Sequence, residues 1–441
     1  MNRRAAGRTA AIGAAILVAS WTAVAFLQEG NPEAPFFDYR TEAPGTARHI
    51  TIADLPLPYS PPVAWDYRPA LSTTWPQVPK GFTIDPYVTG LSEPRYLKRA
   101  PNGDVFIAES SSGRIKILRD LPGSPSPQIE TFASGLTLPF GIAFYYPPGP
   151  APSFVYVGNT NSIVRFAYAN GDLHARGPAE TIVPQLTPGS ADGHWTRDIA
   201  FSLDERAMYV AVGSQSNVAD VDAAPAETLR AAILETNPTG GPLHVFASGL
   251  RNPVSLAVDP GSGDIWTTVN ERDLLGNNLP PDYVTRVRRG GFYGWPWFYA
   301  GSNEDPTLPG RHPELKYQSI VPDVLLQPHS APIQLAFYDG TQFPSAYQDD
   351  IFVCSHGSWN RSVRTGYEVI RILRNNGRVT GRYEDFVTGF VGDATPDGTV
   401  RGRPAGVAVA ADGSLLIADD LANTIWRVRA QPADGERRGA R

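Results

Sequence analysis

A motif that returns six times constrains this chain more than any other feature. Each copy has a short apolar run, a turn holding Asp or Gly, and a second apolar run, usually entered through a proline. It reads EPRYLKRAPNGDVFIAES from Glu93, LPFGIAFYYPPGPAPSFVYVGN from Leu138 and HWTRDIAFSLDERAMYVAVGS from His194. It returns as NPVSLAVDPGSGDIWTTVN from Asn252, APIQLAFYDGTQFPSAYQDDIFVCSHG from Ala331 and RPAGVAVAADGSLLIADD from Arg403. Further strand signals such as SGRIKIL and NSIVRFAY follow, so a unit holds about four strands, the size of one propeller blade. Two β-sandwiches would also use many short strands, but the regular echo predicts an all-β, six-bladed β-propeller. Spacing widens in the second half, which places insertions after Glu271 and Gly357.

The composition agrees with short strands and many turns. The chain has 441 residues, 42% of them hydrophobic, and carries 42 Gly and 42 Pro. A formal net charge of −6 argues against a nucleic-acid partner, whose phosphates call for a basic face. A single cysteine, Cys354, excludes an intramolecular disulfide and a cysteine zinc cluster. Arg3, Arg4 and Arg8 precede an uncharged apolar stretch from Thr9 to Leu27, the pattern of an export signal, with Ala23-Val24-Ala25 as a candidate cleavage site. The apolar stretch is also close to the roughly 20 residues of a membrane helix, so an uncleaved anchor stays open. The expected organisation is a signal peptide or anchor over 1–27, a Pro-rich strap over 28–79, the propeller over 80–430 and a polar tail over 431–441. Export implies a periplasmic or other extracytoplasmic location.

In a propeller the first strand of each blade lines the central channel, so the residues just before those strands meet at one mouth. In that register stand Glu93, Leu138, His194, Arg251 with Asn252, His329, and Arg401 with Arg403. A mouth rich in His and Arg in an acidic chain is expected to bind an anion. Arginine suits bidentate recognition of carboxylates, and a neutral histidine serves as a general base near neutral pH.

GLRNPVSLAVDP from Gly249, with GGFYGWP from Gly290, resembles the soluble quinoprotein glucose and sorbosone dehydrogenases, six-bladed propellers that bind pyrroloquinoline quinone (PQQ) with calcium. The likeness covers about residues 80–430, and NERDLLGNNLPPDY with HGSWNR is similar to the sorbosone or pyranose dehydrogenase-like branch. The resemblance implies that a sugar, or a sugar-derived aldehyde or alcohol, is oxidised by hydride transfer to PQQ. It places His194 as the catalytic base and Arg251 beside the quinone carbonyls, polarising them. Asn252, His329, Arg401 and Arg403 are implied cofactor contacts, and Arg361 stands in for a family lysine. It implies calcium ligands among the backbone carbonyls near Glu271 and Arg272. Where glucose-oxidising members have Gly-Pro in that loop, this chain reads NERD. Trp195, Tyr293, Trp295, Trp297 and Trp359 are aromatic residues able to stack on a ring, most of them expected to pack the blades.

No dinucleotide fingerprint follows a strand, which argues against a nicotinamide acceptor. CxxCH is also absent, so electrons are expected to leave through an external acceptor, a quinone or a redox protein. Two other readings stay open: a calcium-dependent lactonase-type hydrolase propeller, and an exported binding propeller without catalysis.

Overall fold

The computed structural model describes residues 35–59, 74–124, 126–147, 153–188, 192–392 and 399–431. The expected export segment lies outside the described residues, as does the tail beyond Gln431. Six antiparallel sheets, five of four strands and one of five, follow one another as blades among the described residues. Their innermost strands are Pro94–Arg99, Ile142–Tyr145, Ile199–Phe201, Asn252–Val258, Pro332–Phe337 and Pro404–Val409. In blades one to five the chain runs outward strand by strand. Blade six takes its outermost strand, Phe82–Val88, from before blade one, pairing it with Thr424–Ala430 in a register that sets Ile84 opposite Val428. The six blades agree with the six recurring units, and the circle is closed by hydrogen bonds between the two ends of the propeller.

The described residues form no single core. Apolar residues collect in six layers, one between each pair of neighbouring blades, from Phe106 and Phe140 between blades one and two to Leu97 and Leu416 between blades six and one. Each sheet therefore buries both faces, which explains why these strands read as apolar runs rather than strict alternation.

Prolines near the start of inner strands cannot donate to the ladder, and the pairing register shifts just after Pro94, Pro253, Pro332 and Pro404. Side chains in the channel satisfy backbone groups that this irregularity frees. Gln334 Oε1 accepts from Leu97 N at 3.0 Å and from Val407 N at 3.1 Å, tying blade five to blades one and six. Asp198 Oδ2 accepts from Leu256 N at 2.7 Å, tying blade three to blade four. On the face away from the strand starts, the channel leaves about 250 Å³ lined by Tyr96, Lys98, Leu256, Gln334 and Val407.

The described parts of the strap lie along blades four and five, and Trp75 packs on Trp426 of blade six. Ala47–Arg48 adds a fifth strand to blade five, and Arg48 is paired with the buried Asp385 at 2.8 Å.

Ring closure yields a stability test. The Phe82 ring packs at 4.8 Å on Phe343 and 5.4 Å on Phe386, both in blade five. Phe82→Ala is expected to cost about 3 kcal/mol in urea unfolding. Asp85→Ala, on the same strand as Phe82 but breaking only the exposed pair with Arg429 of the neighbouring strand, should stay within about 0.5 kcal/mol. Equal losses would mean that side-chain packing across the seam is not what holds the ring.

Candidate functional site

His194 sits in the loop that enters blade three, and its ring is fixed from one side. Nδ1 lies 2.8 Å from the Ser214 carbonyl oxygen and 3.1 Å from Ser214 Oγ. A carbonyl only accepts, so Nδ1 carries the proton and Nε2 keeps its lone pair. The loop is held twice more, because the His194 N–H donates to the same Ser214 carbonyl at 3.1 Å and Arg197 Nη1 donates to the His194 carbonyl at 2.7 Å. Gly213 lets this assembly close up: a Cβ there would lie 2.2 Å from Asn252 Oδ1 and 2.6 Å from His194 Cβ. Burial, then the guanidinium of Arg251, push the His194 pKa down to about 3, with Arg197 and Arg230 adding to the effect. The ring is a neutral acceptor at any physiological pH.

Arg251 begins the inner strand of blade four and is buried, with 5% of its surface exposed. A guanidinium has five N–H groups, and here each meets a protein oxygen. Nε donates to the Asn217 carbonyl at 2.9 Å, and Nη1 to the carbonyls of Glu271 at 2.6 Å and Asn270 at 3.3 Å. Nη2 donates to Asn217 Oδ1 at 2.9 Å and reaches Asp273 Oδ2 at 3.4 Å. Trp295 Nε1 also donates to the Asn217 carbonyl, at 3.1 Å, which assigns that tryptophan a supporting place behind the cage. Arg251 therefore has no donor left to polarise a ligand carbonyl, and acts on the mouth through its charge.

The Glu271 carbonyl is one of the oxygens spent on Arg251. The Glu271 carboxyl is buried and pushed up to about 8, so it holds its proton at neutral pH. The Arg272 side chain turns into a buried pair with Asp305 at 2.7 Å. Among the described residues no group of three or more His, Cys, Asp or Glu is placed to hold a metal ion. The loop does not fit calcium at the position the resemblance implies.

The two expected insertions interlock above this wall. Asn277 Oδ1 accepts from Ser362 N at 3.1 Å, Arg361 Nη2 donates to Asn278 Oδ1 at 3.1 Å, and Asn360 Nδ2 donates to Asp273 Oδ1. Arg361 thus ties two loops together, although its Nε stays buried without a partner. His329 is held on both ring nitrogens, by the Gly276 carbonyl at 2.9 Å and by Asn360 at 3.2 Å.

The opposite wall is a second linked group. Asp420 accepts from His356 Nε2 at 2.8 Å and from Arg95 Nη1 at 2.5 Å, and Arg403 Nε donates to the His356 carbonyl at 3.1 Å. Burial would raise the Asp420 pKa, but His356, Arg95 and Arg403 hold it well below the usual carboxylate range. Arg95 lies 5.4 Å over Trp195, the neighbour of His194, which joins this wall to the first.

The structure thus brings His194, Arg251, Asn252, His329, Arg361 and Arg403 around one mouth. Arg401 faces the rings of Trp75 and Trp426 at 5.8 and 5.9 Å, while Glu93 and Leu138 are exposed at the rim. Glu93 and Leu138, together with Ala331, adopt left-handed backbone with φ of 48°, 47° and 53°, each directly before a proline. Such strain persists only where the surroundings hold it, and it recurs here at one level of three blades. Tyr293, Trp295 and Trp297 are buried as packing residues, and Trp359 is 40% exposed.

Sequence reading missed Arg95, Asn217, Asp273, His356 and Asp420. The signal was available: His356 ends a second strand and Asp420 follows one directly, and those strand ends reach the same mouth as the starts of the first strands.

The mouth can hold a planar anion. Arg95, Arg197, Arg230, Arg251 and Arg403 surround it, and Asp273, Asp420 and Glu227 offset part of their charge. Arg95 Nε, Arg197 Nε and Nη2, and Asn252 Oδ1 are buried without a partner, so hydrogen-bonding capacity is left over at this level. The residues fit a flat polycarboxylate such as PQQ, with Arg95 and Arg403 suited to its carboxylates.

This chain is 27% identical over 363 residues to a protein of Borreliella burgdorferi, covering 80% of this chain and 90% of that one. It is 23% identical over 417 residues to the pyrroloquinoline quinone-dependent pyranose dehydrogenase of Coprinopsis cinerea, covering 80% of this chain and spanning about half, 54%, of that protein. The solved holo form of that enzyme's PQQ domain superposes with a TM-score of 0.66 at 20% identity, covering 81% of this chain and 98% of the domain. A calcium structure of the Trichoderma reesei carbohydrate-active enzyme of family AA12 superposes with a TM-score of 0.68 at 19% identity, covering 83% and 100%. A family model described as TrAA12-like matches residues 76–283 and 314–431, well over half of the chain, and on that match the protein belongs to the TrAA12-like family.

Proposed function

We propose that this protein is a sugar dehydrogenase that binds PQQ at the mouth of the propeller and oxidises an aldose or pyranose there. The observation that carries the reading is His194: a neutral imidazole whose Nδ1 is committed to Ser214, leaving Nε2 as a proton acceptor beside a cluster of arginines. When bound, PQQ supplies the two-electron acceptor for the hydride that leaves the sugar carbon. The chain's own residues supply the rest. His194 Nε2 takes the proton of the sugar hydroxyl, and Ser214 keeps the ring in the tautomer that can do so. Arg197 and the Gly213 turn hold the loop in place, so little freedom is lost at the moment of reaction. Arg95 and Arg403 bind carboxylates of the cofactor, and the charge of Arg251 favours an anion without spending a hydrogen bond on it. A lactonase-type hydrolase would need acidic and amide side chains converging on a metal, whereas here Asn217 Oδ1 and Asp273 Oδ2 converge on the Arg251 guanidinium. Export, which residues 1–27 indicate, would set the enzyme beside external sugars and an external electron acceptor.

Two outcomes check this reading. In an NMR titration of the ring protons His194 should stay neutral between about pH 5 and 8, whereas His312, raised by Asp222 and Glu314, should titrate above the ordinary histidine range. The unfolded ring takes up a proton below about pH 6.5 and the native ring only near 3. His194 therefore makes stability fall with acidification across that window, and His194→Gln should flatten the acid limb of unfolding. A native His194 midpoint near 6.5 would contradict the site. In dye-coupled turnover with aldoses, pyranoses and sorbosone, His194→Gln should lose about 10²-fold or more in kcat with PQQ binding retained. Wild-type protein loaded with PQQ yet inactive on every sugar would overturn the proposed activity.

A further inference from the structure

We infer that Arg251 is a built-in cation standing where the family's loop would place calcium, so that this mouth takes no calcium and its PQQ binding does not depend on the metal. The inference rests on the quinoprotein reading and goes beyond it, since it sets this chain apart from the calcium chemistry that its resemblance implies.

The oxygens around Arg251 are of the kind calcium takes: three backbone carbonyls, one side-chain amide oxygen and one carboxylate. They converge from three segments, the loop after blade three's second strand (Asn217), the end of blade four's second strand (Asn270) and the loop that follows it (Glu271 and Asp273). A planar group with five fixed donors meets five acceptors, so the cage is complete without water or metal. A calcium ion at the Glu271 carbonyl would have to displace Nη1 from a 2.6 Å hydrogen bond or lie against a positive charge in a buried site, where like charges repel strongly.

The neighbouring residues make the same exclusion. The loop's own carboxyl is engaged locally, with Glu271 Oε2 accepting from the Arg272 N–H at 3.2 Å. Arg272 adds a second buried guanidinium beside it, neutralised by Asp305. Arg272 thus ties the loop to Asp305 and Thr307. In this chain the carbonyls of Asn270 and Glu271 have Arg251 as their partner.

The test is a titration of purified full-length protein with PQQ, followed by absorbance and calorimetry, in chelator and in excess calcium. One equivalent should bind with affinities that agree within about two-fold in the two conditions. In Arg251→Met the carbonyls lose their cation, so affinity in chelator should fall by roughly tenfold or more and calcium should restore part of it. A cofactor-free arm separates this idea from the reading it rests on. Calcium should leave the wild-type apo melting temperature unchanged and raise that of Arg251→Met by about 3 °C. Calcium stabilisation of the wild-type apo protein, or wild-type PQQ binding that appears only with calcium, would overturn the inference. Loss of PQQ binding in both conditions by folded wild-type protein would instead overturn the quinoprotein reading, and the melting arm would still decide the place of Arg251. Should Arg251→Met not fold, Arg251→Lys replaces it, and the two wild-type arms alone decide against calcium independence if they fail.

Discussion

A guanidinium taken out of water is stabilised by oxygens that meet its N–H groups, and at the mouth of this propeller Arg251 finds one for each of its five. Asn217, Asn270, Glu271 and Asp273 supply the oxygens, so two loops and a strand end from neighbouring blades are fixed against one another by a single side chain. What surrounds the cage follows from it. Asp273, partly engaged by Arg251, also receives Asn360, which holds His329 and brings in the insertion of blade five. On the other side Asn252, next in sequence, and His194 both lie so close to Gly213 that a Cβ there would clash with each. The charge of the cage is also the largest electrostatic reason, after burial, that His194 stays neutral.

Closure of the ring makes such an arrangement possible. Because Phe82–Val88 completes blade six, each inner strand has an inner strand on either side, and six strand starts are forced to one level. Prolines at four of those starts interrupt the ladder where the strands converge, and Gln334 and Asp198 stitch neighbouring strands below the interruption. Backbone strain before three prolines is held in place by this stitching and by the interblade apolar layers. The mouth is therefore built from the protein's own contacts, an arrangement that favours binding a planar cofactor at low entropic cost.

The propeller was legible because its signal is repetition, and six weak strand patterns in the same order outweigh the ambiguity of each. His194 and Arg251 were legible because they occupy one register of that repeat. Their chemistry was less so. Nothing in GLRNP says that Arg251 spends its donors on carbonyls of a loop some 20 residues later, because that depends on how the insertion after Glu271 folds back. Arg401 fits the register yet faces Trp75 and Trp426, since Trp75 comes from the strap, whose sequence carries no periodic signal. His356 and Asp420 were readable as residues but not as a pair: they sit in different blades, and only the radial geometry joins them.

The central claim is that a sugar is oxidised at this mouth with His194 as the base. Anaerobic mixing of PQQ-loaded protein with an excess of aldopyranose, protiated or deuterated at C1, tests it most directly through the absorbance of the bound quinone. The account expects the quinone absorbance to bleach in one turnover, several-fold more slowly with the deuterated sugar, and roughly 10²-fold more slowly in His194→Gln. Bleaching at equal rates in the variant, or a bound quinone that no sugar reduces, would contradict it.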